Sequence, residues 1–244
     1  MRQEVHALLA RNEHVWNIHV GPQRASYVVE ETALVAAGAC LDSVQSVEEA
    51  RTLLRRTLDQ LRRKSLTDIV GPLRESCESL ATRLGKKVRI TLEGLDMQVP
   101  VRLAPVLGVL GHLTRNAIDH GLELPEDRGP KGEVGALKLR ARETDGRLVV
   151  EVSDDGRGVD GVRLAERAVA VGSLTAEQAN ALGEDGRVAL VFAEGLSTRD
   201  EVTETSGRGV GMSAVRAAVE TAGGSIQIRT ELGVGTRVCV SLPL

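Results

Sequence analysis

Residues 112–121 read HLTRNAIDHG, and the reading of this stretch decides the fold. On a helix, residues three or four apart share a face. His112, Asn116 and His120 then stack along one side, with Asp119 three residues after Asn116. The remainder of the helix is largely apolar. Amide, imidazole and carboxylate groups on it form either an ordinary solvated face or the wall of a site. An amide oxygen suits Mg²⁺, which prefers oxygen donors and keeps water and phosphate in its shell.

Around this helix the composition is that of a globular protein. The chain has 244 residues, 42% hydrophobic and 27% charged, with Trp16, Tyr27 and Phe192 its only aromatics. Its core must be Leu, Val, Ala and Ile. A net charge of −3 and so few rings argue against a nucleic-acid partner. Cys40, Cys77 and Cys239 are odd in number and form no CxxC pair, which suggests buried thiols in a reducing compartment. No apolar run approaches the roughly 18 residues a membrane span needs. The N-terminal MRQEVHALLARNEH lacks a signal-peptide core. The expectation is a cytoplasmic protein without membrane insertion.

The first third is helical in pattern. SVEEARTLLRRTLDQLRRK opens with Ser46 and Glu49 in capping-box spacing, and LTDIVGPLRESCESLATRLG (66–85) predicts a helix around Pro72. KKVRITLEG (86–94) alternates as a strand, and 102–121 is read as one helix. GALKLRARETDGRLVVEVSDDG predicts a hairpin turning at TDG. Short helices follow near 160–172 and 185–193. GVGMSAVRAAVETAGG (209–224) predicts a helix, and SIQIRTELGVGTRVCVSLPL a closing hairpin. Hairpins demand an antiparallel or mixed sheet with helices on one face.

Two further motifs flank this framework. SDDGRGVD (153–160) places Asp154, Gly156 and Gly158 at a strand's end. A carboxylate there can accept a hydrogen bond from an exocyclic amine, and glycines let a flat ring approach. Taken alone, it reads as a turn. SGRGVGMSAV (206–215) sets Gly207, Gly209 and Gly211 before a helix, where backbone N–H groups and the positive dipole end suit phosphate. It lacks a Walker ending and a preceding strand. In order and with strands between, the three describe a pocket for purine and Mg²⁺-bound phosphates.

The combination resembles the Bergerat ATP-binding fold of histidine kinases, gyrase, MutL and the heat-shock chaperone, and chemotaxis-type (CheA-like) histidine kinases most of all. LGHLTRNAIDHGLELPEDR resembles that family's N-box, VEVSDDGRGVD its G1 box, and VFAEGLSTRDEVTETSGRGVGMSAV its F-box running into its G2 box. The resemblance implies an α+β fold, a two-layer sandwich with a mixed, mostly antiparallel sheet, over 67–244. It implies ATP and Mg²⁺ as ligands. Asn116 would hold the metal, while His112, Asp119 and His120 would contact phosphates or order the site. Asp154 would receive the adenine amine, with Gly156 and Gly158 shaping its pocket and Thr236 lining it. Phe192, Ser197 and Thr198 would belong to a mobile lid. Gly207, Arg208, Gly209 and Gly211 would cradle phosphates.

His112 stands where ATP-hydrolysing relatives place a general-base glutamate, as chemotaxis kinases do. That suits transfer of the γ-phosphoryl in trans to a histidine on a phosphotransfer domain, ahead of a response regulator. The family's PGFST lid motif reads EGLST here, with Glu194 for proline and Leu196 for an aromatic. No acceptor box surrounds His6, His14 or His19, and the chain ends at its last strand without a receptor-coupling module. The expectation is an excised piece of a longer kinase, or one acting on a partner. Residues 1–66 read as a helical segment for dimerisation or linkage, with Leu53, Leu54, Leu58 and Leu61 as a seam either between chains or within this one. The alternatives are a non-catalytic nucleotide-binding scaffold and an ATPase clamp.

Overall fold

The structure, a computed structural model, describes residues 35, 38, 46–52, 55, 63–193, 196 and 211–244. The chain divides into two units, Met1–Arg63 and Lys64–Leu244. In the first, residues 47–52 are helical, and Ser46 Oγ accepts from the Glu49 N–H at 3.2 Å, one half of the expected capping box. His6, His14, His19, Trp16, Tyr27, Cys40 and the Leu53, Leu54, Leu58, Leu61 stripe lie outside the described residues.

The second unit is a five-stranded sheet with helices on one face. Its strands are β2 (Lys87–Glu93), β4 (Val134–Thr144), β5 (Arg147–Asp154), β6 (Ser225–Glu231) and β7 (Gly235–Pro243). They lie in the order β2-β4-β5-β7-β6. β2 and β4 pair parallel and every other pair is antiparallel, the mixed sheet that the hairpins demand. The β4–β5 turn is Asp145-Gly146, both at positive φ (52° and 68°), as a two-residue hairpin needs. Short strands β1 (Arg63–Ser65) and β3 (Gln98–Pro100) form a separate ribbon.

The helical layer contains α1 (Leu66–Val70), α2 (Leu73–Arg83), α3 (Ala104–Leu107) and α4 (Val109–Asn116). α5 (Gly161–Ala170), α6 (Ala176–Ala181), α7 (Glu184–Ala189) and α8 (Met212–Thr221) follow. Alternate residues of the central strands point into the core: Leu137 and Leu139, Leu148 and Val150, Val240 and Leu242, all at most 1% exposed. Leu66, Leu110, Ile118, Val215 and Val219 meet them from the helices. Burying these aliphatic faces from water is the main drive for the two layers to pack.

Two helices differ from the sequence reading. The span 66–85 breaks at Gly71–Pro72, where proline supplies no N–H to the preceding turn. The span 102–121 is not one helix: a 3₁₀ turn (Val101–Leu103) precedes α3 and α4, and Ala117–Gly121 widens to a π turn. Leu122 N–H reaches back to Ala117 O at 2.7 Å, and Lys86 Nζ takes the carbonyls of Ile118 and Asp119 at 2.6 and 2.7 Å. The wider turn rotates Asp119 and His120 out of the simple i, i+4 stack. α6 was not foreseen, although Thr175 and Gln178 cap it reciprocally at 3.1 and 2.9 Å.

Candidate nucleotide site

β5 ends on Asp154, opposite Thr236 of β7. The Asp154 carboxylate is half-buried where the strand leaves the sheet, and Gly156 N–H donates to its Oδ1 at 3.0 Å. Burial pushes this carboxyl up to about 6, against backbone hydrogen bonds from Gly156 and Thr236, and the charges of Asp155 and Glu123 add to the rise. Such a group is an acceptor held in place by two backbone donors, with lone pairs to spare for a further one.

The glycines around it admit backbone where a side chain could not fit. A β-carbon on Gly121 would stand 3.1 Å from Asp154 Oδ1, and one on Gly156 would overlap the Gly121 carbonyl oxygen. Arg157 N–H donates to that carbonyl at 2.9 Å, so the end of the π turn and the turn after β5 are stitched together. Gly158 turns with φ +76°, and a β-carbon there would overlap the Glu231 carbonyl. Thr230 Oγ1 accepts from Val159 N–H at 2.8 Å, donates to Gly235 O at 3.0 Å and lies 3.2 Å from Thr236 Oγ1. The structure thus brings Asp154, Gly156, Gly158 and Thr236 into one cluster.

Asn116 ends α4. Its Nδ2 donates to Met212 Sδ, the first residue of α8, at 3.1 Å, and Gly211 is the N-cap of that helix. The N-box helix and the phosphate-loop helix therefore meet at Asn116. Sulfur is a weak acceptor, and Asn116 Oδ1 accepts no hydrogen bond among the described residues. That oxygen suits Mg²⁺. No group of three His, Cys, Asp or Glu among the described residues could hold a metal alone, so magnesium would come with nucleotide oxygens in its shell. Asp119 Oδ2 lies 3.8 Å from His120 Nε2 just beyond, with His120 the more exposed.

Other expected residues stand apart. His112 lines a cavity of about 370 Å³ between α2 and α4 whose walls do not include Asn116, Asp119 or Asp154. Phe192 is 7% exposed, with the Arg216 guanidinium 5.5 Å from its ring centre. It lines a second cavity of about 270 Å³ with Asp185, Arg216 and Ile228. Ser197, Thr198, Gly207, Arg208 and Gly209 lie outside the described residues.

One group was missed. The Arg128 side chain is fully buried between Glu123 (2.9 Å) and Asp155 (2.8 Å) and donates from Nε to Gly132 O at 2.9 Å. Lys131 Nζ reaches Glu123 at 3.1 Å and the carbonyls of Asp155 and Gly156 at 2.8 and 2.7 Å. This network fastens the segment after the N-box to the turn that carries Asp154. Its only trace in the sequence is the mixed charge of ELPEDRGPK, which alone reads as a solvated loop.

Residues 104–244 match the family described as histidine kinase-, DNA gyrase B-, and HSP90-like ATPase. The chain is 38% identical over 181 residues to a gliding motility regulatory protein of Myxococcus xanthus, covering 73% of this chain and 23% of that protein. It is 33% identical over 210 residues to the chemotaxis protein CheA of Salmonella typhimurium, covering 85% and 31%. The chain thus spans less than a third of either relative. The histidine kinase domain of the Erythrobacter litoralis EL346 blue-light activated kinase aligns over 99% of this chain and 96% of its own, at 18% identity and a TM-score of 0.43. With its family match running from α3 to the C-terminal strand, the chain belongs to the histidine kinase-, DNA gyrase B- and HSP90-like ATPases, and within them it is similar to the chemotaxis-type kinases.

Proposed function

We propose that residues 67–244 are the ATP-binding catalytic domain of a chemotaxis-type protein histidine kinase, which passes the γ-phosphoryl in trans to a histidine on a phosphotransfer domain. The observation that carries this reading is the half-buried Asp154 carboxyl, raised to about 6 and framed by Gly121, Gly156 and Thr236. Asp154 accepts the adenine amine, and Asn116 Oδ1 faces the metal. Asp119 and His120 order the phosphate end. Gly211 opens α8, with Gly207, Arg208 and Gly209 before it as the phosphate loop and Phe192, Ser197 and Thr198 in the lid. Magnesium, when bound, supplies charge neutralisation at the phosphates.

The imidazole of His112, where hydrolysing relatives carry a carboxylate base, favours a protein acceptor over water. The chain's own contribution is then positioning and electrostatics. Residues 1–66 serve dimerisation or linkage, which light scattering on the purified chain tests. Among the described residues no helix is long and apolar enough to cross a membrane, and the kinase reading carries with it a cytoplasmic location.

A second reading, a nucleotide-binding scaffold without transfer, is favoured by the altered lid, where Leu196 is only 3% exposed. Incubation with γ-labelled ATP and phosphotransfer domains separates the readings. Label on a partner histidine supports the kinase. Bound nucleotide without transfer supports the scaffold, and steady release of free phosphate supports an ATPase.

A further inference from the structure

The helices cover one face of the five-stranded sheet, and the side chains of the other face point to solvent, with Arg140 57% and Arg237 59% exposed. Strand register lines these outward side chains up in rows across the sheet. One row reads Thr91, Lys138, Ser153, Arg237 and Arg229, one residue from each strand. At roughly 4.8 Å between strands it spans about 19 Å, and it holds hydroxyls and cations but no carboxylate. Arg237 and Arg229 stand directly opposite each other, which like charges disfavour. The next row is Glu93, Arg140, Glu151, Cys239 and Gln227, and its glutamates answer only part of this charge. Glu93 meets Lys138 at 2.7 Å and Arg140 at 3.6 Å, and Glu151 meets Arg237 at 3.5 Å. Arg229, and Arg142 one row further on, are exposed and make no ion pair among the described residues. Burial and Glu151 push the Cys239 thiol up, while Arg142, Arg229 and Arg237 pull against them, so three guanidinium groups bear on one point of the face.

We propose that this open sheet face docks an acidic segment of a partner protein, one whose aspartates or glutamates alternate with uncharged residues. Carboxylates match the forked donors of Arg142, Arg229 and Arg237, and the hydroxyls of Thr91 and Ser153 can donate between them. The face is basic on a chain whose net charge is −3, so an acidic partner repelled elsewhere is steered to it. A uniform polyanion fits less well. The backbone of a nucleic acid or the surface of an anionic membrane would set charge against Glu93 and Glu151 too, whereas a protein segment can offer donors there. No phenyl, phenol or indole ring lies on the face to stack a base. Phe192, the one Phe, Tyr or Trp among the described residues, is buried. None of these basic side chains has a part in holding nucleotide, so docking here does not depend on phosphoryl transfer.

The test is a fluorescence-anisotropy titration of a labelled peptide that alternates glutamate with serine, using the 244-residue chain. Saturable binding is expected. The double variant Arg229→Gln/Arg237→Gln is expected to weaken it by about tenfold, while a fluorescent ATP analogue binds as before and shows that the domain is folded. A control variant, Arg51→Gln/Arg55→Gln, removes the same charge from exposed positions of the first unit and is expected to bind the peptide as wild type does. The single variant Arg142→Gln, on a different strand, should weaken binding in the same direction. Absence of saturation, equal loss in the control variant, unchanged affinity in the double variant, or tighter binding to duplex DNA or to phosphatidylserine vesicles than to the peptide overturns the proposal.

Discussion

Gly121 and Asp154 meet so closely that a single added carbon on the glycine would stand 3.1 Å from the aspartate's Oδ1. The contact joins the end of the N-box π turn to the end of β5, so two distant motifs share one wall. Gly121→Ala is expected to press on the carboxylate and weaken ATP affinity by about tenfold, with little change in the fold. Gly156→Ala, which would collide with the Gly121 carbonyl itself, is expected to lose about 2 kcal/mol or more of stability. Nucleotide titration and urea unfolding of both variants distinguish the two effects.

Asp154 is expected to oppose stability in the free protein while serving binding. Its carboxyl holds a proton more tightly folded than unfolded, so the native state carries the extra proton between roughly pH 4 and about 6. Stability from this group therefore falls as pH rises through that window. Asp154→Asn is expected to stabilise the free protein at pH 8 by about 1–3 kcal/mol and to abolish nucleotide binding. Wild-type affinity should decline below about pH 6, as the acceptor becomes protonated. Thermal melts at pH 5 and pH 8, with and without nucleotide, check both signs.

The buried Arg128 holds two carboxylates: Glu123, which Lys131 also meets at 3.1 Å, and the part-exposed Asp155, which also accepts from Ala136 N–H at 2.8 Å. Arg128→Met is expected to cost about 1–3 kcal/mol, because it leaves the largely buried Glu123 carboxylate with Lys131 alone. Arg128→Lys should recover part of that loss and part of the nucleotide affinity, since Asp155 and Gly156 would again be anchored. The urea midpoints of the pair measure this.

Much of this architecture was legible in the sequence. Period-two alternation located β2, hairpin signals at TDG and LGVG located β4, β5, β6 and β7, and the Asp145-Gly146 turn followed from two residues suited to positive φ. Asp154, Gly156 and Gly158 were named from their motif and Thr236 from the family resemblance, and the four lie together. The illegible parts depend on distant partners. Arg128 pairs with Asp155 27 residues away, and a buried ion pair leaves no periodic mark. The π turn reflects Lys86, more than 30 residues upstream, taking the carbonyls of Ile118 and Asp119. Asp119 and His120 fall within that turn, whereas His112 and Asn116 stay four residues apart on α4. α6 is six residues long, too short for helical periodicity to show, though its capping box could have been found.

Calorimetric titration of the chain with a nonhydrolysable ATP analogue, with and without Mg²⁺, bears most directly on the site. Wild type is expected to bind more tightly with the metal than without it. Asn116→Ala should lose that metal-dependent gain, and Asp154→Ala should lose binding altogether. Equal affinity in wild type and both variants would contradict the assignment of this cleft to magnesium and adenine.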